Sequence, residues 1–294
     1  MLHDRLWRAG QSLLGLSLGD ALGSQFFVPA NRPHLSSRSL PPAPWQWTDD
    51  TEMACSVYLA LATHHAIDQD FLAASFARRH DFDRGYGPAT GRMLRLVREG
   101  GDWRSLAAGL FDGSGSWGNG AAMRVAPVGA FFADDPSEAA RQAALSATVT
   151  HAHPEAVAGA IAVAAAAAYA GSGPMPPGQF IDRVLEHVPP GKARDGIAEA
   201  RRMLTVTDPE IAAYFLGNGR EVAAHDTIPF TIWAAARNLT DFEQAIWSTA
   251  TVGGDVDTTC AIVGGITAAA AESGRLPAAW LRVAEPLPQW INPS

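Results

Sequence analysis

The sequence predicts an all-α fold, a single compact multi-helix globular domain of the whole span, residues 1–294. Three observations predict it. Apolar residues recur at helical spacing along most of the chain, sustained strand-type alternation is absent, and Pro/Gly-rich breaks cut the pattern into helix-sized pieces. Hydrophobic residues make up 47% of the chain and charged ones 18%, enough apolar material for one large core, and no shift in composition argues for a second domain.

Leu2 to Gly23 reads as an opening helix, with Leu6, Leu13, Leu14 and Leu18 apolar. Gly10, Gly15, Gly19 and Gly23 interrupt it. Glycine costs about 1 kcal/mol per helix position relative to Ala, so its recurrence points to close packing or backbone approach. Asp20 lies among these glycines and has two readings, an interhelical or helix-end hydrogen bond and a place near a metal.

Val28 to Trp45 is rich in Pro and Ser and reads as an irregular connection. It leads to Trp47-Thr48-Asp49-Asp50-Thr51-Glu52, after which Met53, Val57 and Leu61 recur at helical spacing. The acidic group therefore opens a helix, where free N–H groups and the dipole favour negative charge. Asp49 with Glu52 has the form of a capping box. Capping uses one carboxylate, and here there is a surplus.

Further helices are expected over Asp70 to Arg79 and from about Thr90 to Arg98, with Arg84-Gly85-Tyr86-Gly87-Pro88 as a loop between them. Gly113 to Gly120 is the most Gly-dense stretch and precedes Ala121-Ala122-Met123-Arg124. Such a loop lets backbone N–H groups approach an anion closely. It lacks the Lys of a P-loop and the preceding strand of a dinucleotide fingerprint. Phe111 and Trp117 bracket it, placed to stack a base or simply to pack.

Thr150-His151-Ala152-His153-Pro154 holds a His-x-His pair, with no Cys or third His nearby to complete a zinc site. A hydrogen bond from His151 to phosphate or ribose is the better expectation. Ala156 to Ala170 reads as an Ala-rich packing helix, and Ile161 to Ala170 falls short of a membrane span. Helices follow over Gln179 to Val188 and Ala193 to Leu204, and one starts at Asp208-Pro209. Thr240 with Glu243 reads as a capping box.

The helix it opens runs to a second acidic cluster, Gly253-Gly254-Asp255-Val256-Asp257-Thr258-Thr259, which precedes an apolar helix from Cys260. Carboxylates from two such clusters would repel unless protonated or bound to cations. Oxygen ligands select a hard ion, Mg²⁺ or Mn²⁺, over Zn²⁺, and a pair of ions is able to clamp a substrate and activate water.

The formal net charge of -8 speaks against general nucleic-acid or membrane-surface binding. Cys55 and Cys260 make no disulfide framework and read as buried reduced residues. No basic stretch followed by an apolar run opens the chain, so a cytoplasmic protein is expected. A monomer is the expected state.

The ordered motifs resemble the ADP-ribosylglycohydrolase family. They are Gly19-Asp20-Ala21-Leu22-Gly23, Trp47 to Thr51, Gly115 to Arg124, Thr150-His151, and Gly253 to Thr258, spanning nearly the whole chain. The resemblance implies an all-α fold, a dinuclear Mg²⁺ or Mn²⁺ centre, and release of ADP-ribose from a conjugate. Thr48, Asp49 and Asp50 would form the first group of metal ligands and Asp255, Asp257 and Thr258 the second. Asp49, Asp50 or Asp257 would take the catalytic proton. Gly115, Ser116, Gly118 and Asn119 match the pyrophosphate loop, Phe111 and Trp117 the adenine site, and His151 a contact to ADP-ribose. Met123 and Tyr86 complete the residues expected at the substrate.

Relatives acting on ADP-ribosyl-arginine carry an Asp where this chain has Gly85, which favours the O-linked branch of serine, O-acetyl-ADP-ribose or poly(ADP-ribose) conjugates. Many members also place a Glu where this chain has Phe27, and a Phe cannot shuttle a proton. Readings that stay open are ADP-ribose binding without turnover, hydrolysis of an ADP-ribosylated nucleic acid or small molecule, a dinuclear phosphohydrolase, and a structural protein on this fold.

Overall fold

The computed structural model describes residues 2–270 and 276–291, so both ends of the assigned 1–294 span lie outside the described residues. Among these it holds sixteen α-helices and no strand, only isolated bridges such as Gly118 with Ala223. In chain order they are α1 (Leu2–Ser24), α2 (Pro33–Ser37), α3 (Asp49–His64), α4 (Gln69–Arg79), α5 (Pro88–Arg98), α6 (Trp103–Gly109), α7 (Ala126–Phe131) and α8 (Pro136–Thr148). Then come α9 (Pro154–Gly171), α10 (Pro177–Leu185), α11 (Lys192–Arg202), α12 (Pro209–Leu216), α13 (Ala224–Arg237), α14 (Phe242–Ala250), α15 (Val256–Ala269) and α16 (Ala278–Leu281).

The helix starts follow local chemistry. Proline opens α2, α5, α8, α9, α10 and α12, where its missing N–H costs nothing. Asp68, Asp102, Asp135 and Asp208 cap the helices that follow them by accepting backbone N–H bonds. The expected capping box at Thr240 is displaced by one residue, because Asp241 is the cap and accepts from Gln244 N. The box expected at Asp49 and Glu52 does not form. Thr48 is the cap residue without a side-chain cap bond, and Glu52 turns away to accept from Tyr86 Oη and Asp81 N.

The connection over Val28 to Trp45 contains the short α2 and a 3₁₀ turn. The sequence reading missed α6, α7, α8, α13 and α16. In α13 the reason is Pro229 inside the helix, which the helical pattern disfavours.

Helices α1 and α15 make the closest pair in the fold. Gly15, Gly19 and Gly23 of α1 face α15, and a Cβ at Gly19 would lie 2.1 Å from Cys260 O. No side chain fits there, so the two backbones touch. That contact sets the ends of both helices beside the start of α3.

Helix α9 is 18 residues long and apolar enough by length and composition to cross a membrane, more than the shorter run read from the sequence suggested. It is 67% buried inside the fold, against α7, α8 and α13. Cys55 and Cys260 are both buried free thiols, as expected.

Candidate active site

Three helix ends converge. Asp20 comes from α1, Thr48 and Asp50 from the start of α3, and Asp257 from the start of α15. One ligand oxygen from each of Asp20, Asp50 and Asp257 lies within 4.8 Å of the others. Asp20 is fully buried and accepts from Thr48 N at 2.9 Å, Thr51 N at 3.1 Å and Thr51 Oγ1 at 2.6 Å. It therefore caps α3 from another helix, meeting the N–H groups that a helix start leaves unpaired. The interhelical hydrogen bonds expected of Asp20 are present, and the same carboxylate belongs to an acidic group that could hold a metal ion.

Thr48 Oγ1 lies 2.9 Å from Asp20 Oδ1 and 2.8 Å from Asp50 Oδ2, with one hydrogen to share between them. Asp50 Oδ1 is buried and has no hydrogen-bond partner. Thr258 N donates to Asp257 Oδ1 at 2.8 Å. Asp49 and Asp255 stand at the rim with Asp257 and Thr258, all lining one cleft of about 510 Å³.

Crowded burial shifts these carboxyls upward. Burial, against the pull of bonds from Thr51 and Thr48, raises Asp20 to about 6. Burial, then the charge of Asp20, raises Asp49 to about 8. Asp50 is held well above the usual carboxylate range by burial and then Asp20, and Asp257 by burial and then Asp255. Such a group takes up protons or a cation. The orphaned oxygen of Asp50 and the all-oxygen donor set fit a hard divalent ion.

The Gly-rich loop forms the next wall of the cleft. Asn119 Nδ2 donates to Asp255 Oδ2 at 2.7 Å, tying this loop to the second acidic cluster, and to Thr227 Oγ1 at 3.1 Å. Ser116 Oγ accepts from Gly118 N at 3.2 Å. Ser116, Gly118, Asn119, Gly120 and Met123 line the cleft with His151. Gly115 lies behind, packed on the backbone at Ala152 and His153.

His151 is 4% exposed, and its Nε2 faces the loop, 3.0 Å from where a Cβ at Gly120 would stand. Burial, and secondarily the charge of Arg124, push its imidazole down to about 3, so it is neutral. His153 caps α9, accepting from Glu155 N.

Phe111 and Trp117 stand at the outer end with ring centroids 4.7 Å apart, 45% and 39% exposed. Phe111 has φ 51°, which turns its ring out beside Trp117. Tyr86 lies outside this cleft, with its hydroxyl donating to Glu52 Oε2 at 2.7 Å. Phe27 is half-exposed and also outside it.

Sequence reasoning missed Met53, Glu221 and Val222, which line the cleft as well. Val222 has φ 52°, a rare conformation for a β-branched residue, and no local signal foretells it. The opposite wall runs from Gly85 to Thr90 without a carboxylate. Its start is anchored by Arg84, which pairs with Glu285 at 2.7 Å, donates to Trp47 O at 2.9 Å and lies 3.5 Å from the Trp47 ring centroid.

The family model for ADP-ribosylglycohydrolase matches residues 1–293. The chain belongs to this family. Among its relatives, the ADP-ribosylhydrolase ARH3 of Xenopus tropicalis is 29% identical, over 93% of this chain and 90% of its own length. The ADP-ribosylhydrolase ARH3 of Homo sapiens is 28% identical, over 93% and 88%. The ADP-ribosylarginine hydrolase Tri1 of Pseudomonas putida is 30% identical over 52% of this chain and 44% of its own.

A solved structure described as an ADP-ribosylglycohydrolase-related protein complex superimposes with a TM-score of 0.64 at 27% identity, covering 97% of this chain and 94% of that one. This ADP-ribosylglycohydrolase is thus a hydrolase of ADP-ribose glycosyl bonds. The family is metal-dependent, and the acidic group provides a site able to hold metal.

Proposed function

We propose that the protein releases ADP-ribose from O-linked conjugates, with serine, O-acetyl-ADP-ribose and poly(ADP-ribose) as acceptor types. The observation that carries the linkage is the wall at Gly85. A Cβ there would lie 3.9 Å from Asp49 Oδ1, so this position lies beside Asp49, and no residue from Gly85 to Thr90 carries a carboxylate to pair a guanidinium. A missing charge-assisted partner costs an arginine conjugate about 1.5–3 kcal/mol.

Two Mg²⁺ or Mn²⁺ ions would be held by Thr48, Asp49, Asp50, Asp255, Asp257 and Thr258, with Asp20 beside them. Bound there, such ions supply Lewis-acid polarisation and make a water more acidic. The remaining steps belong to the chain. Phe111 and Trp117 stack the adenine, while the Ser116–Asn119 loop and His151 donate to the pyrophosphate.

As the bond from the anomeric carbon to the acceptor oxygen breaks, water adds to that carbon. Asp49 takes one proton from the water and returns it to the leaving oxygen, so the acceptor departs as an alcohol. Asp49 has this role over Asp50 because it reaches the cleft surface, whereas Asp50 is buried. Phe27 takes no part.

The test is hydrolysis of matched peptides ADP-ribosylated on Ser or on Arg, with Mg²⁺, Mn²⁺ or EDTA. Metal-dependent release from the Ser peptide alone is expected. Release from the Arg peptide overturns the linkage, and full activity in an Asp49→Ala, Asp257→Ala double variant overturns the mechanism.

A further inference from the structure

Arg124 is fully buried; its Nη1 and Nη2 donate to neutral acceptors, and its Nε has no partner. Nη1 donates to Gly120 O at 2.8 Å, and Nη2 donates to Ser146 O at 2.8 Å and to Thr150 Oγ1 at 2.9 Å. The guanidinium also lies 4.7 Å from the Phe76 ring centroid. A buried guanidinium without a carboxylate is unusual, since buried charges are ordinarily paired.

The bond to Thr150 has a consequence for its neighbour. A guanidinium only donates, so Thr150 Oγ1 is the acceptor in that bond and has its own hydrogen to give. His151 Nδ1 is 2.7 Å away. If the hydroxyl gives its hydrogen there, Nδ1 is the acceptor and the single ring proton of the neutral imidazole sits on Nε2. In the reverse arrangement, Nδ1–H donates to Thr150 and the buried hydroxyl hydrogen has no acceptor. That state carries the cost of an unmade buried bond.

We infer that Arg124 and Thr150 are positioning residues that hold His151 as its Nε2–H tautomer, presenting one fixed neutral donor to a pyrophosphate oxygen at the Gly118–Gly120 loop. The tautomer decides whether this ring attracts or repels the ligand. Nε2 is the nitrogen that faces the loop, 3.2 Å and 3.0 Å from where Cβ atoms at Gly118 and Gly120 would stand. An N–H there attracts a phosphate oxygen, whereas a lone pair there repels it. Because the ring is buried neutral, protonation does not supply the donor, and the relay from Arg124 does. Arg124 itself is walled off from the ligand by Gly120 and acts through Thr150.

The inference rests on ADP-ribose binding in this cleft, and its test separates the two. Nitrogen-15 NMR of the labelled full chain distinguishes a protonated from an unprotonated ring nitrogen, and calorimetry measures ADP-ribose binding. The expected wild-type result is a proton on His151 Nε2 throughout the neutral range. Thr150→Val, which keeps the shape and removes the hydroxyl, is expected to mix the tautomers and weaken ADP-ribose binding about tenfold, the size of one hydrogen bond. Thr150→Ser is expected to restore both. In turnover, Thr150→Val raises KM and leaves kcat unchanged, because the contact holds substrate and transition state alike.

A proton on Nδ1 in the wild type overturns the inference. So does unchanged ADP-ribose affinity in Thr150→Val, or a loss in Thr150→Ser as large as in Thr150→Val, which marks a packing role. A proton on Nε2 with no ADP-ribose binding overturns the functional reading and leaves the tautomer assignment standing.

Discussion

Asp20 accepts from Thr51 twice, from its backbone N–H at 3.1 Å and from its hydroxyl at 2.6 Å. One carboxylate thus closes the start of α3 and sits in the acidic group. The roles separate by substitution. Asp20→Ala leaves buried donors at Thr48 and Thr51 unpaired, and at about 1–3 kcal/mol each this lowers stability by about 3 kcal/mol. Asp20→Asn keeps an acceptor and removes one charge from a repelling cluster, so metal-free stability stays near wild type. It loses the extra stability that Mg²⁺ gives the wild type. Denaturant unfolding with and without Mg²⁺ reads both, and an Asn variant with a full Mg²⁺ response would make Asp20 a cap alone.

The metal-free protein is expected to lose stability as pH rises. The carboxyls of Asp20 and Asp49 start from 3.8 in the unfolded chain and are raised to about 6 and about 8 in the fold. Between those values the folded state holds more protons than the unfolded one, so unfolding becomes easier with each step up in pH. The contribution is full below pH 3.8 and is lost as pH passes about 6 for Asp20 and about 8 for Asp49. A divalent ion replaces those protons, so the gain from Mg²⁺ is larger at pH 8 than at pH 6. Thermal melts at both pH values, with EDTA or Mg²⁺, check the sign, and metal-free stability that rises over this interval contradicts it.

The acidic clusters were legible because a helix start with more carboxylates than capping needs is visible in a few consecutive residues. So was the Gly-dense loop, whose composition signals close approach to an anion. Asp20 was ambiguous because its partners are Thr48 and Thr51, 28 and 31 residues away, brought close only when α1 meets the start of α3. The wall at Val222 was hidden because it depends on a left-handed backbone angle at a residue type that avoids it. Arg124 was hidden for another reason. Nothing local to Met123-Arg124-Val125 says that a guanidinium is to be fully buried. Tyr86 was placed at the substrate by motif, while burial of Glu52 draws its hydroxyl elsewhere.

Gly85→Asp is expected to move the acceptor preference toward arginine. The new carboxylate stands beside the leaving group, where a guanidinium would pair with it. Gly85 has φ 89°, and Asp tolerates such an angle better than most residues, at a cost of about 1 kcal/mol in stability. Rates on the Ser-linked and Arg-linked peptides decide it. Increased Arg-linked release at a small cost in stability supports the role of Gly85, and unchanged linkage preference contradicts it.

Trp117→Ala and Phe111→Ala are expected to weaken ADP-ribose binding by about 1–3 kcal/mol each, the worth of an aromatic stack on a base. Both rings are part-exposed, 39% and 45%, so folding stability should change little. The two variants should not add, because the rings touch at 4.7 Å and offer one continuous stacking surface to the base. Calorimetry with ADP-ribose and with ribose 5-phosphate makes the comparison. Losses confined to ADP-ribose assign the pair to adenine, and equal losses on both ligands contradict that.

Gly19→Ala and Gly10→Ala should shift stability in opposite directions. Both are glycines inside α1, where Ala is intrinsically better by up to about 1 kcal/mol. At Gly10 the nearest atoms to a new Cβ are 3.8 Å away on the Tyr58 ring, an ordinary contact, so the propensity gain is realised. At Gly19 the Cβ would lie 2.1 Å from Cys260 O, and that oxygen belongs to the backbone of α15. The helices must part, at a net cost of about 2 kcal/mol after the propensity gain. Parting them also draws Asp20 away from Asp257, so Gly19→Ala should blunt the Mg²⁺-dependent rise in Tm while Gly10→Ala leaves it intact. Equal stabilisation by both substitutions would mean that the glycines of α1 do not set the geometry of the acidic group.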